Sequence, residues 1–336
     1  MLTVTTRSST PFKLLASLLL GLAALACFGA AGAAARSTGP GQIVFVAGKA
    51  GHCKMGACRN FDVVRSISPH GGPGRKLAIV RAVTETASTE DGTVAVLSKV
   101  IAGGGANSSA YTQVYLISPQ GKRTEVFRHR LEGFGATGLG ISGDGRTLAL
   151  SGRSEGSDRL SKIWVVRSNG TGMHQVTFDR GNDEMPALSP DGKRIVFSRT
   201  LREKDVHGSR RPELWTVDLE SGEETRLTEN AFEDVNPVFS PDGKSIAFGQ
   251  VVAHNHGSIA VIRADGSGER KVTSTGREYP DPDYAPSGRS IAFIGEVPHA
   301  SGGYRSAIYT VRTSGAGRHL ASGRFEFPGL PQWTLR

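Results

Sequence analysis

Residues 236–248 read Asn-Pro-Val-Phe-Ser-Pro-Asp-Gly-Lys-Ser-Ile-Ala-Phe, and the interpretation of the whole chain follows from this segment. Apolar residues alternate with small ones on both sides of Pro241-Asp242-Gly243, as a half-buried antiparallel pair of strands requires. Proline fixes φ at the first corner of a turn, and glycine accepts the positive φ at the last corner. The segment therefore predicts a β-hairpin. Because one hairpin cannot bury its own apolar face, it also predicts copies of itself.

The hairpin pattern recurs at intervals of roughly 45 to 55 residues, which is close to the period of propeller blades. Copies stand at residues 185–197 and 281–293, and weaker ones at residues 86–97 and 139–150. Each copy continues with a third strand, a polar turn and a fourth strand. Third strands are predicted at residues 162–166, 213–217, 258–262 and 307–311. Four strands per repeat at this spacing indicate a propeller blade rather than a helical repeat.

The remaining blade is predicted to be shared between the two ends of the chain. Residues 43–47, 61–67 and 76–80 read as a second, third and fourth strand without a first. Residues 330–335, Leu-Pro-Gln-Trp-Thr-Leu, match residues 236–241 at the proline, the aromatic and the hydroxyl position. We therefore expect an all-β, six-bladed β-propeller of four-stranded antiparallel blades, closed by the C-terminal strand joining the N-terminal blade. Closure removes a sheet edge that would invite aggregation.

The N-terminal segment has the pattern of an export signal. Basic residues precede an apolar run at residues 14–26, and small residues follow up to Ala35. This pattern predicts a secretory signal peptide over residues 1–35, which leaves residues 36–336 as the propeller. An uncleaved membrane anchor is the alternative, although the run is short for a span. Cys27 follows Ala-Leu-Ala and loosely resembles a lipoprotein signal, and membrane attachment is expected only if this cysteine is lipidated.

Two further cysteines, Cys53 and Cys58, stand close together near the predicted start of the propeller. In an exported chain such a pair is expected to form a disulfide. The alternative is half of a metal site, but the sequence has no second cysteine pair to complete one. A disulfide that closes so short a segment would constrain one loop and contribute little to the stability of the fold.

The charge of the chain bears on its partners. The formal net charge is +9, and the basic residues are dispersed. A basic surface favours anionic envelope polymers or acidic protein faces as partners. The alternative, of equal weight, is that the net charge reflects only the solubility of the chain and no particular partner. Nucleic acid is not expected for an exported chain, and we expect a monomer.

The repeat also carries a family resemblance. Residues 237–248 together with residues 266–273, Gly-Ser-Gly-Glu-Arg-Lys-Val-Thr, resemble the WD40-like repeat of TolB-type propellers, most strongly over residues 180–336. The resemblance implies an exported, six-bladed propeller that binds other proteins in the bacterial envelope. TolB proteins also carry an N-terminal α/β domain. We expect none here, because residues 36–42 leave no room for one.

Histidines form one candidate site. The loops between second and third strands of a propeller emerge on one face, and in this chain they carry several imidazoles, which are good metal ligands. They are His52, His207, His254, His256 and His299. The alternative is that these are ordinary exposed loop residues. The sequence contains no Gly-x-Ser-x-Gly nucleophile motif, and no catalytic residue is predicted.

Carboxylates form the second candidate site. The carboxylates just before the predicted inner strands are Asp183 and Glu184, Glu233 and Asp234, and Asp281 with Asp283. Equivalent positions would put several of them near the mouth of the central channel. There they could bind a divalent cation or a basic group of a partner. The alternative is that they hold loops in place by hydrogen bonds. Tryptophans at recurring strand positions are predicted to be inter-blade core. They are Trp164, Trp215 and Trp333.

These features predict an exported, non-enzymatic propeller of the periplasm, cell envelope or extracellular space. It is expected to bind an envelope protein or polymer through the face of its unlike long loops, because a rigid scaffold with variable loops suits recognition. The alternative is a metal-assisted carbohydrate lyase or lactone hydrolase acting at the channel mouth. No cofactor is predicted under the first hypothesis, and a divalent cation in the channel belongs to the second.

Overall fold

The computed structural model consists of strands and turns over the residues that it describes. These are residues 36–37, 43–49, 61–67, 75–81, 83–89, 91–102, 109–130, 134–154, 160–202, 210–253, 256–276, 278–298 and 304–321. Among them, no helix is both long and apolar enough to span a membrane.

The strands form four-stranded antiparallel sheets in chain order. Sheet I contains β1 (Arg36–Ser37), β2 (Ile43–Lys49), β3 (Phe61–Ile67) and β4 (Arg75–Arg81). Blade II contains β5 (Val83–Ser88), β6 (Val94–Ala102), β7 (Ser109–Ile117) and β8 (Arg123–Arg130). Blade III contains β9 (Phe134–Ile141), β10 (Thr147–Ser154), β11 (Lys162–Arg167) and β12 (His174–Gln175). Blade IV contains β13 (Asn182–Leu188), β14 (Arg194–Thr200), β15 (Pro212–Asp218) and β16 (Glu224–Arg226). Blade V contains β17 (Glu233–Phe239), β18 (Ser245–Ala253), β19 (His256–Arg263) and β20 (Arg270–Lys271). Blade VI contains β21 (Glu278–Tyr284), β22 (Ser290–Pro298), β23 (Tyr304–Arg312) and β24 (His319–Leu320).

Apolar clusters between successive sheets hold the blades together. One cluster joins blades II and III, and further clusters join III to IV, IV to V and V to VI. Trp164 packs against the first of these clusters and Trp215 against the second, which confirms the predicted inter-blade role of both. Trp333 lies outside the described residues. The predicted all-β propeller of four-stranded antiparallel blades is therefore confirmed.

The structure differs from the prediction at the ring closure. Six blades were predicted. The structure shows five sheets, blades II to VI, that are joined in sequence by apolar clusters. Sheet I is an additional four-stranded sheet, whose strand β1 lies against β5 and β21. Ala78 of β4 packs on the core of blade II.

The first strand of sheet I is also not the one that the sequence predicted. Arg36 pairs with Val44 and Ser37 pairs with Ile43, so β1 occupies the edge of β2 that was assigned to residues 330–335. The C-terminal segment was matched by its proline and aromatic residues, but pairing between backbones requires neither residue type. The nearby residues 36–37 need only a short connection to reach β2, so loop closure favours them. Residues 322–336 lie outside the described residues.

The tight turns follow the predicted pattern and add one feature. Gly243 has φ of 68°, as the predicted turn requires. Ser240 Oγ donates a 2.6 Å hydrogen bond to Asp242 Oδ1, which also accepts the backbone N–H of Lys244 at 3.1 Å. The same serine and aspartate arrangement recurs at Ser142 and Ser189. Each hairpin therefore fixes its own turn by local hydrogen bonds.

The inner strands give the propeller two distinct faces. They end at the turns of Gly92, Gly145, Gly192, Gly243 and Gly288, which define the tight-turn face. They begin at the opposite face, where the second and third strands of each blade are connected, and we call this the long-loop face. The connecting residues 103–108, 155–159, 203–209, 254–255 and 299–303 lie outside the described ones.

Candidate binding cavity and buried ionic clusters

A cavity of about 60 Å³ lies where the inner strands of blades II to VI converge, and we call it the inner-strand cavity. Each of the five blades contributes to its lining. Glu85, Gly138, Met185, Asn236 and Asp281 are one lining residue from each blade in turn. These residues lie at or near the middle of their strands. The cavity therefore lies on the propeller axis at about half its depth.

Irregular pairing in the inner strands shapes this cavity. The register between first and second strand breaks between Glu184 and Ala187 in blade IV and between Val235 and Val238 in blade V. Each break contains a proline, which cannot donate a ladder hydrogen bond. In blade VI the break runs from Tyr279 to Asp283 and contains one more residue. The inner strand of blade VI is therefore the most irregular of the three.

This irregular strand brings two carboxylates to the cavity. Asp281 is 8% exposed and Asp283 is 5% exposed, and both line it together with the half-buried Glu85. Among the described lining residues, none is lysine, arginine or histidine. Burial weakens the screening of charge by water, so these carboxylates attract a cationic group more strongly than surface carboxylates do.

A second cavity, of about 80 Å³, lies on the same axis toward the tight-turn face. Its lining is more apolar and includes Ile141, Leu188, Phe239 and Tyr284. Burial raises the pKa of Tyr284, so its hydroxyl stays protonated at any physiological pH. Asp283 lines both cavities, so the two differ in Glu85 and Asp281 on one side and in the apolar side chains on the other.

Arg199 is the centre of a buried ionic cluster in blade IV. It is fully buried and donates from Nε to Asp183 Oδ1 at 2.6 Å and from Nη2 to Asp183 Oδ2 at 2.9 Å. Its Nη1 donates to Glu224 and, at 3.0 Å, to Asp179 Oδ2. Lys162 Nζ lies 3.6 Å from Asp183 Oδ2. Asp183 is therefore neutralised inside the blade by two cations.

Aromatic and glycine residues complete the environment of Arg199. Its guanidinium carbon lies 5.0 Å from the ring centres of both Phe197 and Trp215. A Cβ atom added at Gly181 would lie 2.6 Å from Cγ of Arg199, so only glycine leaves room for this side chain. Close packing of this kind holds a buried ion pair in one geometry, which such a pair needs to offset its desolvation.

Blade V has a corresponding cluster without the arginine. Asp234 is fully buried and accepts hydrogen bonds from Asn230 Nδ2 at 2.8 Å and from Gln250 Nε2 at 3.4 Å. Gln250 Nε2 also donates to Glu269 Oε1 at 2.8 Å. Burial raises the pKa of Asp234 to about 7, and the negative charges of Glu213 and Glu269 act in the same direction.

The structure separates the predicted carboxylate site. Asp281 lines the inner-strand cavity, as expected for a residue near the channel. Asp183 and Asp234 lie within β13 and β17 rather than before them, and they pair directly with Arg199 and Gln250 inside their blades. Neither belongs to the linings of the two axial cavities described above. The aspartates therefore form three separate environments rather than one ring.

The predicted histidine site can be examined at one residue. His256 is exposed at the start of β19. His52, His207, His254, His299, Cys53 and Cys58 lie outside the described residues. In the described part of the chain, no group of three or more His, Cys, Asp or Glu residues is arranged to hold a metal ion.

Glu85 and Arg199 belong to these sites but were not predicted. Arg199 had a visible signal, because it follows the apolar run Ile195–Phe197 in a second strand whose neighbours should be buried. Its partner could not be found from sequence, because the pairing of Arg199 with Asp183 depends on the strand register. Glu85 stands in the weakest copy of the repeat, where the turn proline is missing.

The chain has a β-propeller fold that is similar to the fold of TolB structures. The chain is similar to TolB from Acinetobacter baumannii, with a TM-score of 0.58 and 18% identity, over 83% of this chain and 62% of that one. It is similar to a structure assigned to TolB from Agrobacterium tumefaciens, with a TM-score of 0.53 and 20% identity, over 74% of this chain and 83% of that one. It is also similar to an oligogalacturonate lyase in complex with manganese, with a TM-score of 0.50 and 16% identity, over 76% and 73% of the two chains.

At these identities the similarities show the fold alone. The chain spans less than two thirds of the Acinetobacter protein that it matches. No protein-family profile matches the sequence, and no curated protein matches it.

Proposed function

We propose that this chain is an exported binding propeller that holds a basic side chain of an envelope protein in its inner-strand cavity. The observation that carries the proposal is the cavity itself. Five inner strands line it near their middle, and its described lining residues include Glu85, Asp281 and Asp283 but no lysine, arginine or histidine. In this proposal sheet I is the sixth blade and closes the ring between β21 and β5.

The chemistry of the cavity favours a cationic ligand group. Two largely buried aspartates line the cavity, and a lysine or arginine of a partner would make charge-assisted hydrogen bonds with them. The cavity therefore selects a long, positively charged side chain that can reach inward from the long-loop face. Acidic or apolar side chains would be excluded.

The first test is the binding of a defined basic probe. We expect tetralysine to bind the wild-type chain in calorimetry, with an affinity that falls as salt rises, and tetralysine with acetylated side chains not to bind. We expect the variant Asp281→Asn with Asp283→Asn to bind at least about tenfold more weakly, because two buried charges are lost. The measurement is the dissociation constant at low and moderate ionic strength.

The control is the variant Asp242→Asn with Asp265→Asn, which removes two exposed aspartates from the turns of blade V. It changes the net charge by the same amount and should bind tetralysine like the wild type. Equal weakening in the two variants would show non-specific attraction and would contradict the proposal. Circular dichroism and thermal melting check that both variants fold.

Export and processing form the second part of the proposal. Residues 1–35 are removed on export to the periplasm or cell surface, and Cys53 and Cys58 form a disulfide there. Intact mass spectrometry of the protein recovered from an envelope fraction tests both, with and without reduction. A mature N-terminus near Arg36 and a gain of two thiols on reduction are expected. A mature protein that begins at a diacylated Cys27 would show that the chain is a lipoprotein rather than a free protein.

A carbohydrate lyase is the competing function, and one observation favours it. The fold is similar to that of an oligogalacturonate lyase in complex with manganese. The histidine-bearing loops would then supply the metal ligands, with His207, His254, His256 and His299 as candidates. Incubation with manganese and oligogalacturonate, followed by detection of unsaturated products, tests this function. Turnover that requires manganese and is lost in His256→Ala would favour the lyase over the binding propeller.

A further inference from the structure

The outer strand of blade II, β8, is longer than the outer strands of the blades that follow it. β8 has eight residues, whereas β12, β16, β20 and β24 have two or three. The other long outer strand is β4 of sheet I. Short outer strands leave few backbone groups unpaired at the edge of a sheet. Among the described strands β8 pairs only with β7, so its outer edge extends over about 26 Å.

β8 is long because it continues past the point at which the later fourth strands end. The carbonyl oxygen of Val126 lies against Gly170 of blade III, as that of Leu227 lies against Gly266 of blade V. β16 ends one residue before Leu227, whereas β8 continues for four residues after Val126. Each of these four residues pairs with a residue of β7. The extension is therefore a regular part of the sheet rather than a loop.

Val126 also fixes the position of β8 against blade III. It is an extra residue in the pairing of β8 with β7, and its side chain is 9% exposed in the apolar cluster between blades II and III. A Cβ atom added at Gly170 would clash with the carbonyl oxygen of Val126, so glycine permits this contact. The edge is thus held in place before any partner arrives. Preorganisation of this kind reduces the entropy lost on binding.

β8 and the residue before it carry mainly positive charge. Their basic residues are Lys122, Arg123, Arg128 and Arg130, and their single acidic residue is Glu125. Arg128 lies 3.2 Å from Glu125, and the two side chains are 51% and 43% exposed. An ion pair so open to water contributes little, so it does not prevent Arg128 from pairing with a stronger acidic partner.

Positive charge continues from β8 across the sheet. Lys99 of β6 and His129 of β8 stand in one cross-strand row, on either side of Thr112. Burial lowers the pKa of Lys99, and the nearby charge of Arg153 acts in the same direction. Cations that repel one another in this way attract an anionic group. The end of β8 toward the long-loop face is therefore suited to an acidic partner.

We propose that β8 binds an extended, acidic segment of a partner protein, which adds a fifth strand to blade II. Every second residue of an edge strand directs its N–H and C=O groups outward, and an added strand pairs with them. Acidic side chains of that strand would stand beside the arginines of β8, where opposite charges stabilise the pairing. The site is on the outside of the propeller, and the proposal does not rest on the inner-strand cavity.

The charge of β8 decides between the occupants of this edge. Two β8 strands side by side would place arginines next to arginines, so like charges disfavour a second copy of the chain. A polysaccharide or other polyanion would satisfy the charges but could not pair with the backbone of β8. An acidic peptide in extended conformation satisfies both.

Binding of a defined peptide to the full chain tests the proposal. The probe is acetyl-(Glu-Thr)4-amide, which is acidic and as long as β8. We expect it to bind in calorimetry, with an affinity that falls as salt rises. The same peptide with a methyl group on every backbone nitrogen has the same charge but no N–H donor. It should bind at least about tenfold more weakly.

A pair of matched variants tests the role of the arginines. Arg128→Gln with Arg130→Gln should weaken binding of the peptide by roughly threefold to tenfold, because two favourable charge pairs are lost. Arg146→Gln with Arg289→Gln removes two exposed arginines from the tight-turn face and should bind like the wild type. Circular dichroism checks that both variants fold.

Hydrogen–deuterium exchange locates the bound strand on the wild-type chain. Saturating peptide should slow exchange within residues 123–130 by at least about tenfold, because the outward N–H groups become paired. Residues 224–226, the outer strand of blade IV, are the control in the same molecule and should exchange as before.

Four results would contradict the proposal. Equal affinity for the methylated peptide would show a surface for polyanions in general. Equal weakening in the two double variants would show non-specific attraction. Unchanged exchange of residues 123–130 at saturation would place the peptide elsewhere. Dimers of the chain that the peptide dissociates, measured by sedimentation, would show that a second copy occupies the edge.

Discussion

Single residues set the electrostatics of this propeller, and blade IV shows how. Arg199 is fully buried, makes a two-point contact with Asp183, and lies against Phe197 and Trp215. A buried ion pair of this kind adds little net stability compared with apolar residues of equal volume. Removing one member is costly, because the other charge stays buried without a counterion.

Arg199→Met should destabilise the chain by about 3–5 kcal/mol, because Asp183 is left as an uncompensated buried charge. Adding Asp183→Asn to this variant should recover part of the loss. Arg194→Met in the same strand is the control, because Arg194 is only half-buried and its hydrogen bond to Gly243 O is long, at 3.4 Å. Chemical denaturation measures the three variants. Equal, small losses at both arginines would contradict this account of the cluster.

Prediction from the sequence was least successful for individual residues and their side-chain partners. The aspartates were found as a recurring feature, but their separation into two buried clusters and one cavity was not predicted. Asp183 and Arg199 are far apart in sequence, and only the strand register brings them together. Glu85 was missed because its repeat copy is degenerate. Side-chain partners across a sheet depend on register, which the sequence specifies only through a buried-face pattern.

At the scale of the element, the hairpins were predictable because their signals are local. The Ser-Pro-Asp-Gly turn contains the residues that make its own hydrogen bonds, and alternation of apolar residues marks the strands on both sides. The breaks in the inner strands were not predicted. Pro186 and Pro237 indicate them, because proline has no backbone N–H to donate to a neighbouring strand. The strand that completes sheet I was assigned to the wrong end of the chain. Backbone pairing leaves no side-chain signature there.

The turn aspartates predict a response to acid. Hydrogen bonds from the preceding serine and from a backbone N–H lower the pKa values of Asp144, Asp191 and Asp242. A carboxyl with a lowered folded-state pKa stabilises the fold above its unfolded value, and this contribution is lost as pH falls through the folded value. The Asp→Asn variant at all three turns should therefore lose less stability than the wild type between about pH 5 and pH 2.5.

Thermal unfolding at a series of pH values measures this response. Glu220→Gln is the control, because it removes an exposed carboxyl from the turn between the third and fourth strands of blade IV. The three-turn variant should be less stable than the wild type at neutral pH, and the two curves should converge in acid. Curves that stay parallel over the whole acid range would show that the turn aspartates do not contribute through their ionised form.

At the scale of the whole molecule, the propeller has two unlike ends. The inner-strand cavity contains Glu85 and Asp281, the second cavity near the tight turns is lined mainly by apolar side chains, and Asp283 lines both. A ring of similar blades could present the same chemistry at every inner strand, but the longer break in β21 places two aspartates in one sector. The asymmetry needed to recognise one partner group therefore comes from a local irregularity in an otherwise repeated framework.

The measurement that tests the central claim most directly is photo-cross-linking in intact cells from a probe placed at Thr86, which lines the inner-strand cavity. The account predicts cross-links to one envelope protein, at a peptide that contains lysine or arginine, and their loss in the variant Asp281→Asn with Asp283→Asn. A probe at the exposed Ser314 of the tight-turn face should not capture that protein. Cross-links that come only from Ser314, or that persist unchanged without the two aspartates, would contradict the account.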